Sequence, residues 1–207
     1  MLKLPSIWPA IDYDLAGLDG VLRGVVLNAG AGTRELAHLV DGEVVTQDIP
    51  WEFARPDLDI ASPLHEIPRP NETFDAVICI AVLEHVINPD ECVAEMARVL
   101  KRGGRLILSV PFLQPEHLVP TDYQRFTRDG LRHFVEKHGL LVEEVIPMFS
   151  VYHTMHWIAS EWLRMKKNII YFALRCMILP PLVFMARRSN LTSNKVASAF
   201  RLVAVKP

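Results

Sequence analysis

The feature that most constrains the fold is an apolar run that leads directly into a Gly-x-Gly turn. Val25-Val26-Leu27 is followed by Asn28-Ala29-Gly30-Ala31-Gly32. Such a run is typical of a strand covered on both faces, as in parallel sheets. The glycines allow a tight turn and the close approach of a ligand to the backbone. The stretch predicts a strand, a ligand-binding turn and a short helix over residues 35–40, and a turn without a ligand is the alternative.

Further apolar segments predict the remaining strands of an α/β domain. Between them, residues 89–100 and 128–138 show apolar positions at helical spacing, with Pro89 suited to a first helical turn. Asp41-Gly42 is expected to end the helix after the glycine turn, because Gly fits a left-handed cap. The predicted strands are residues 24–28, 43–49, 56–60, 74–80, 105–111, 141–149 and 199–205.

Four ordered motifs resemble one family. They are Asn28-Ala29-Gly30-Ala31-Gly32-Thr33, Phe74-Asp75-Ala76-Val77-Ile78, Val82-Leu83-Glu84-His85-Val86 and Arg98-Val99-Leu100-Lys101-Arg102-Gly103-Gly104-Arg105-Leu106. Together they resemble the class I S-adenosylmethionine-dependent methyltransferases, in the small-molecule, type 11-like branch. The resemblance implies an α/β, Rossmann-like, seven-stranded, mostly parallel sheet with helices on both faces and an antiparallel last strand. It also implies that the cofactor lies across the carboxyl ends of the strands.

The resemblance implies that the first strand and its turn approach the methionine and ribose parts of S-adenosylmethionine. Asn28, Gly30 and Gly32 match those positions. Asn28 departs from the pattern, since the family usually has Asp or Glu there. The substitution removes a carboxylate near the ammonium group of the cofactor, so we expect a weaker hold on that group.

The rest of the cofactor site follows from the next strands. Asp48 lies at the end of the second predicted strand, where a carboxylate can accept the ribose hydroxyls. An ordinary turn or cap aspartate is the alternative. The resemblance implies that Asp59 and Ile60 flank the adenine, and that Ile80 and Ala81 line the pocket near the methyl donor.

The acceptor side of the site is predicted in the loop after the fifth strand. His117 and His85 are competing candidates for the catalytic base, because an imidazole can take a proton near neutral pH. Asp122, Tyr123 and Arg125 are candidates for orienting the base or binding the acceptor. A structural interpretation stays open, in which Asp122 and Arg125 brace the loop, Thr127 caps the next helix and His117 is solvated.

An apolar helical insertion, residues 150–194, precedes the last strand. Its apolar residues recur at spacings of three and four from Ile158 to Leu179, which predicts one helical stripe broken only at Pro180-Pro181. Three interpretations stay open for residues 155–186: a lid packed on its own domain, a homodimer face, and a helix on the membrane surface between basic flanks. Arg175 and the proline pair argue against a membrane span.

Composition and charge limit which partners and which cellular location we expect for the protein. A net charge of −2 with a pI near 6.4 gives no electrostatic footprint for nucleic acid. His153-x-x-His156 has no further ligand nearby in sequence, so we predict no metal site. The N-terminus shows no signal-like apolar segment, which favours a cytoplasmic protein that would be peripheral to the membrane if the insertion lies on a bilayer.

The sequence therefore predicts S-adenosylmethionine-dependent methyl transfer to a small-molecule or glycan-like acceptor, by O- or N-methylation. One domain is expected over residues 1–207, with a core of 24–149 and 198–207 and the insertion 150–194. A non-catalytic binding or partner subunit with the same fold is one alternative. An NAD(P)-dependent oxidoreductase is another, but Glu35 stands where a dinucleotide fingerprint needs its third glycine.

Overall fold

The computed structural model describes residues 12–18, 20–52, 54–118 and 121–207 of the chain. Its seven strands are β1 Arg23–Ala29, β2 Asp41–Asp48, β3 Ile60–Ala61, β4 Phe74–Ile80, β5 Leu100–Pro111, β6 Leu141–Met148 and β7 Ala199–Val205. They form one sheet in the order β3-β2-β1-β4-β5-β7-β6. Strands β1 to β5 pair in parallel, and β7 runs antiparallel to both β5 and β6. The predicted mixed sheet with an antiparallel last strand is confirmed.

Helices and apolar side chains cover both faces of the sheet. The described helices are α1 Asp12–Leu15, α2 Pro89–Val99, α3 Arg128–Glu136, α4 Val151–Arg164 and α5 Ile169–Arg188. Alternate strand residues point to opposite faces. Leu27 and Val77 belong to the cluster that holds the buried residues of α2 and α3. Val26 and Ile78 belong to the opposite cluster, which Leu15 of α1 joins.

The connection from β1 to β2 differs from its prediction. Residues 35–40 were expected to form a helix, and the structure has only a 3₁₀ turn at Ala37–Leu39. Eleven residues separate Ala29 from Asp41, and the chain must return along the whole length of a parallel strand, about 3.3 Å per residue. A helix rises only about 1.5 Å per residue, so a helical connection of this length would be too short.

Gly42 also differs from its predicted role as a helix cap. It lies within β2 opposite Gly24 of β1, with φ of 153°. A Cβ atom at Gly42 would lie 2.0 Å from the Gly24 carbonyl oxygen. This site therefore requires glycine because the neighbouring backbone occupies the space of a side chain.

The insertion forms two helices, where the sequence pattern predicted one stripe broken at the prolines. The break lies at residues 165–168, between α4 and α5, and Asn168 caps α5 by accepting a hydrogen bond from the Tyr171 N–H. Pro180 and Pro181 lie inside α5. We call residues 151–188 the helical hairpin.

The two helices of the helical hairpin are joined through a half-buried cation and a few buried apolar side chains. The Arg175 guanidinium donates two hydrogen bonds to the Leu163 carbonyl, at 2.9 and 2.6 Å, near the end of α4. A cation is favoured at this carboxyl end by the helix dipole. Leu163, Leu179 and Val183 are buried. This contact fixes the two helices side by side.

Most of the predicted stripe faces solvent. The side chains of this exposed surface include Met155, Ile158, Trp162, Met165, Ile169, Phe172 and Met177. The helix α5 is 20 residues long and contains an 18-residue segment with a mean hydropathy of 2.0, so its length and composition would suffice to cross a membrane. Only 17% of that apolar segment is buried against the rest of the protein. The exposure of most stripe residues does not support a lid packed on its own domain, and the homodimer and membrane-surface interpretations stay predictions.

The strand-to-strand contact at Gly42 leads to a stability prediction. Gly42→Ala should lower the free energy of unfolding by about 3 kcal/mol, because the new methyl group clashes with fixed backbone. Gly139→Ala is the matched control, since Gly139 also has positive φ (77°) but has open space around it. The control should lose only about 1 kcal/mol from the left-handed backbone. Urea unfolding of both variants tests this, and equal losses would contradict the proposed clash.

Candidate cofactor and acceptor site

A cavity of about 730 Å³ opens at the carboxyl ends of β1, β2 and β4. Its volume falls within the range of about 300–1,000 Å³ that ligand pockets occupy. The glycine turn, the end of β2, residues 63–65 and the turn after β4 line it. Open α/β sheets bind their ligands at this edge, next to the strand where the order reverses.

The glycine turn is tied to the end of β2 by two hydrogen bonds. The Gly30 N–H donates to Gln47 Oε1 at 3.2 Å, and the Gly32 N–H donates to Asp48 Oδ2 at 2.8 Å. Both glycines have positive φ, at 64° and 54°. A Cβ on Gly30 would lie 2.3 Å from the Val82 side chain. The predicted residues Gly30 and Gly32 therefore lie on the cavity wall in a conformation that glycine alone adopts without strain.

Asp48 lies on the cavity wall, as its predicted role requires. Its carboxylate is 8% exposed and accepts hydrogen bonds from the N–H groups of Gly32 and Ile49. An ionised carboxylate has about four acceptor positions, so it can still accept bonds from two hydroxyl groups. Its contact with a ribose stays a prediction.

Asp59 and Ile60 do not reach the cavity. The Asp59 carboxylate accepts hydrogen bonds from the Thr46 N–H at 2.8 Å and the Thr46 hydroxyl at 2.7 Å. These bonds lower the pKa of Asp59 below its ordinary value. Ile60 is buried in the core. The structure thus does not support their predicted place beside adenine, because the side chains hold β2 to the segment that leads into β3.

Other residues form the end of the cavity beyond Asp48. Ile49, Trp51 and Leu64 supply apolar surface there, together with Pro63 and His65. Flat apolar surface of this kind suits a purine ring. The sequence contained no spacing signal for these residues, since all five lie outside helices and strands.

Of three residues at the strand ends that were predicted to bind the cofactor, one lines the cavity and two do not. Ala81 lies on the cavity wall, with φ of 53°. Ile80 is buried in the core below it. Asn28 is buried, and its side-chain amide lies 3.5 Å from the Arg34 carbonyl. Neither Asn28 nor Ile80 lines the described part of the cavity.

Arg34 is a cavity residue that the sequence did not indicate. Its guanidinium donates to the Gly30 carbonyl at 3.3 Å, within the turn that precedes it. Burial lowers the pKa of Arg34 below its ordinary value, while the carboxylates of Asp14, Glu84 and Asp48 oppose this. A partly desolvated guanidinium favours a carboxylate partner.

The two competing histidines occupy one site. His85 lies in a 3₁₀ turn after β4, Leu83–His85, and the loop after β5 folds back onto that turn. The Tyr123 N–H donates to the Glu84 carbonyl, and the Gln124 side-chain amide donates to the Leu83 carbonyl, each at 2.8 Å. The imidazole rings of His85 and His117 consequently meet edge to face, with centroids 4.9 Å apart.

Glu84 lies between these two rings and was missed as a site residue. Its side chain is fully buried, with Oε1 lying 3.7 Å from His85 Nε2 and 3.6 Å from His117 Nε2. The Glu84 carboxylate raises the pKa of His117 above its ordinary value, while burial opposes the rise. The motif over residues 82–86 indicated this part of the chain as functional, but it did not indicate that Glu84 is the side chain that faces inward.

Asp122 and Arg125 are engaged with each other, in the arrangement expected of a braced loop. Both nitrogens at the end of the Arg125 guanidinium donate to the Asp122 carboxylate, which also accepts the His117 N–H at 2.9 Å. Burial would raise the pKa of Asp122, but these bonds lower it to about 2. Tyr123 is exposed and lines the cavity, so it alone of the three is placed to meet an acceptor. Pro120 lies outside the described residues.

The histidine pair in the helical hairpin is part of a helix start. His153 and Ser150 form a capping box at the start of α4. Burial lowers the pKa of His156. Thr127 likewise caps α3, by accepting a hydrogen bond from the Gly130 N–H at 3.1 Å.

Comparisons with known proteins agree with this fold. A family model described as a methyltransferase domain matches residues 27–108. The chain is 29% identical to the ubiquinone/menaquinone biosynthesis C-methyltransferase UbiE of Pseudomonas paraeruginosa, over 49% of the chain and 46% of that protein. It is 32% identical to the demethylmenaquinone methyltransferase of Renibacterium salmoninarum, over 56% of the chain and 54% of that protein. The matches thus span about half the length of these relatives.

A solved structure gives the same result for the fold. The 1,6-didemethyltoxoflavin-N1-methyltransferase of Burkholderia thailandensis, with bound 1,6-didemethyltoxoflavin and S-adenosylhomocysteine, aligns with a TM-score of 0.58. The alignment covers 93% of this chain and 78% of that chain, with 16% sequence identity. At this identity the likeness concerns the fold.

The different surroundings of Asp48 and Asp59 lead to a binding prediction. Asp48→Ala should weaken S-adenosylhomocysteine binding by about 10- to 100-fold, because two ribose hydroxyls lose their partner at about 1–3 kcal/mol for each unsatisfied group. Asp59→Ala is the matched control and should leave the affinity unchanged while lowering thermal stability. Calorimetric titration measures both affinities, and a larger loss in Asp59→Ala would reject the assignment.

Proposed function

We propose that this chain, whose residues 27–108 match a methyltransferase domain, methylates a small-molecule or glycan-like acceptor. The cofactor is S-adenosylmethionine, as the family and its ligand-bound structural neighbours indicate. The observation that carries the proposal is the cavity whose wall brings together Gly30, Gly32 and Asp48 at the carboxyl ends of β1 and β2.

In the proposed reaction the acceptor's oxygen or nitrogen attacks the methyl carbon of the sulfonium. The bond from sulfur to the methyl group breaks as the new bond forms, and the acceptor's proton leaves to a base or to solvent. The products are the methylated acceptor and S-adenosylhomocysteine. Since the cofactor supplies the reactive group, the protein mainly aligns the acceptor and excludes water.

We place the methyl donor near Ala81 and the acceptor beside Tyr123 and His85. All three line the same cavity, on the side away from Ile49 and Trp51. The relatives named above methylate carbon in quinone biosynthesis or nitrogen in a toxoflavin precursor. They support a small-molecule acceptor, and we retain O- or N-methylation as the reaction for this chain.

We also propose that His85 and His117 prepare the acceptor for attack. Their shared contact with Glu84 makes them one functional unit, and His85 reaches the cavity directly. Asp122 acts as a positioning residue, because it holds the His117 backbone and faces its ring.

Activity is tested with labelled S-adenosylmethionine and a panel of amine, hydroxyl and glycan acceptors. We predict transfer of the label and formation of S-adenosylhomocysteine in equal amounts. In parallel, calorimetric titration should detect binding of S-adenosylhomocysteine and not of NADH. Firm cofactor binding without transfer to any acceptor would favour the non-catalytic binding subunit, and preference for NADH would favour the oxidoreductase.

His85→Gln and His117→Gln separately test the acceptor side. Each should lower turnover by about 10²–10⁴-fold, with S-adenosylhomocysteine affinity unchanged. His133→Gln on the exposed face of α3 is the matched control and should retain full turnover. Near-normal turnover in both site variants would show that alignment alone supports the reaction.

For the helical hairpin we propose contact with an anionic membrane surface. Between residues 151 and 188 there are six Lys or Arg residues and one Glu, while the whole chain has a net charge of −2. A basic flank beside exposed Trp, Phe, Ile and Met side chains suits a bilayer interface. Two copies of this positive surface would repel each other, so the homodimer is the second candidate. The protein is then cytoplasmic and peripheral to the membrane.

Charge reversal tests the membrane proposal. Lys166→Glu with Lys167→Glu should weaken binding to phosphatidylglycerol vesicles by at least about 30-fold, at about 1 kcal/mol for each basic residue near the surface. Arg23→Glu with Arg128→Glu makes the same charge change at exposed sites outside the hairpin and should bind as the wild type. Equal binding of all three proteins would contradict the proposal, and a dimer in light scattering without vesicle binding would favour the homodimer.

A further inference from the structure

The Glu84 carboxylate is buried without a hydrogen bond to any described residue. The side chain is 0% exposed, and within the described part of the chain neither of its oxygens has a hydrogen-bond partner. Burying a charge without hydrogen bonds is costly unless a cation compensates it. Arg34 interacts electrostatically with Glu84, but it also faces Asp14 and Asp48 and donates its hydrogen bond to Gly30. Two sources of positive charge fit beside Glu84: a proton on His117, whose Nε2 lies 3.6 Å from Glu84 Oε1, and a bound cation.

Three potential ligand atoms converge at this point. Glu84 Oε1, His85 Nε2 and His117 Nε2 lie within 4.8 Å of one another, and the carboxylate oxygen lies 3.7 and 3.6 Å from the two nitrogens. Bonds of about 2.0–2.1 Å in a tetrahedral site place ligand atoms about 3.3 Å apart. Shifts of a few tenths of an ångström would bring the two distances from the carboxylate oxygen to that spacing.

The other edge of His85 is hydrogen-bonded as in metal-binding histidines, and a carboxylate faces the other edge of His117. His85 Nδ1 contacts the Thr121 carbonyl, so this nitrogen carries the proton and Nε2 presents its lone pair. His117 Nδ1 faces Asp122 Oδ2 at 3.5 Å, and Arg125 holds that carboxylate in place. Metal-ligating histidines usually turn their second N–H towards a carbonyl or a carboxylate in this way.

We propose that Glu84, His85 and His117 bind a divalent first-row transition-metal ion. Two imidazoles and one carboxylate suit Zn²⁺, Mn²⁺, Fe²⁺ or Co²⁺, whereas Mg²⁺ and Ca²⁺ prefer oxygen ligands alone. The sequence predicted no metal site, because the ligands are separated by 33 residues at most and meet only when the loop after β5 folds back.

A metal ion at this site would favour one chemical class of methyl acceptor. Three protein ligands leave at least one coordination position open, and His85 lines the cavity. This step rests on the methyltransferase proposal: an acceptor hydroxyl at the open position has a lowered pKa, releases its proton to solvent and attacks the methyl carbon as the stronger nucleophile. The acceptor class is therefore a hydroxyl compound, such as a sugar or a phenol.

Metal binding is measured directly, without cofactor or acceptor, so that the result is independent of methyl transfer. The full chain, free of any histidine tag and treated with chelator, is titrated with Zn²⁺ by calorimetry and with Co²⁺ by visible absorption. We expect one ion per chain. Glu84→Gln and His117→Gln should each weaken Zn²⁺ binding at least 100-fold, and Asp122→Asn about 10- to 100-fold. His133→Gln should bind as the wild type.

Two results would overturn the proposal: absence of Zn²⁺ and Co²⁺ binding to the wild type, or unchanged affinity in Glu84→Gln and His117→Gln. The first result would assign the compensating charge to a protonated His117, and the second would place the ion elsewhere, for instance at His153 and His156. Circular dichroism and S-adenosylhomocysteine titration check that each variant is folded. If Glu84→Gln does not fold, His117→Gln and Asp122→Asn decide.

Discussion

Parallel pairing of β1 with β2 and β4 is the constraint on which the site depends. Because the three strands run in the same direction, their carboxyl ends meet at one edge of the sheet. The glycine turn, Asp48 and Ala81 then face one cavity although they are far apart in sequence. The hydrogen bonds from Gly30 and Gly32 to the end of β2 keep the turn open towards that cavity. The backbone, more than any single side chain, determines where this cavity lies.

Docking of the loop after β5 forms the part of the cavity where we propose that the acceptor binds. Hydrogen bonds from Tyr123 and Gln124 to the turn Leu83–His85 close this half of the cavity. They bring Glu84 into contact with two imidazoles, which concentrates polar groups at one end. The opposite end is apolar around Trp51 and Leu64. This division suits a ligand with an aromatic ring at one end and a reacting group at the other.

The parts of the fold that depend on apolar periodicity could be predicted from the sequence. Strands β4 and β7 have the predicted bounds, because each is buried on both faces. The glycine turn was predictable because its backbone has positive φ angles, which glycine adopts without strain. The connection to β2 was not, since the return distance along the sheet overrode the helical pattern of residues 35–40.

The roles of residues that depend on tertiary contacts could not be predicted from the sequence pattern. Asp59 has the expected residue type, but Thr46 satisfies its carboxylate away from the cavity. Glu84 and Arg34 acquire their importance from burial, which no spacing shows. In the insertion, Asn168 was an available cap signal for the break before α5. The exposure of the apolar stripe follows from the packing of the two helices through a few side chains, which the sequence pattern does not show.

The central claim is that the cavity binds S-adenosylmethionine across the carboxyl ends of the strands. A crystal structure of the chain grown with S-adenosylhomocysteine tests it most directly. The account predicts ribose hydroxyls on Asp48, adenine against Ile49, Trp51 and Leu64, and the sulfur facing Ala81 and Tyr123. A nucleoside bound outside this cavity, or an empty cavity at saturating ligand, would contradict it.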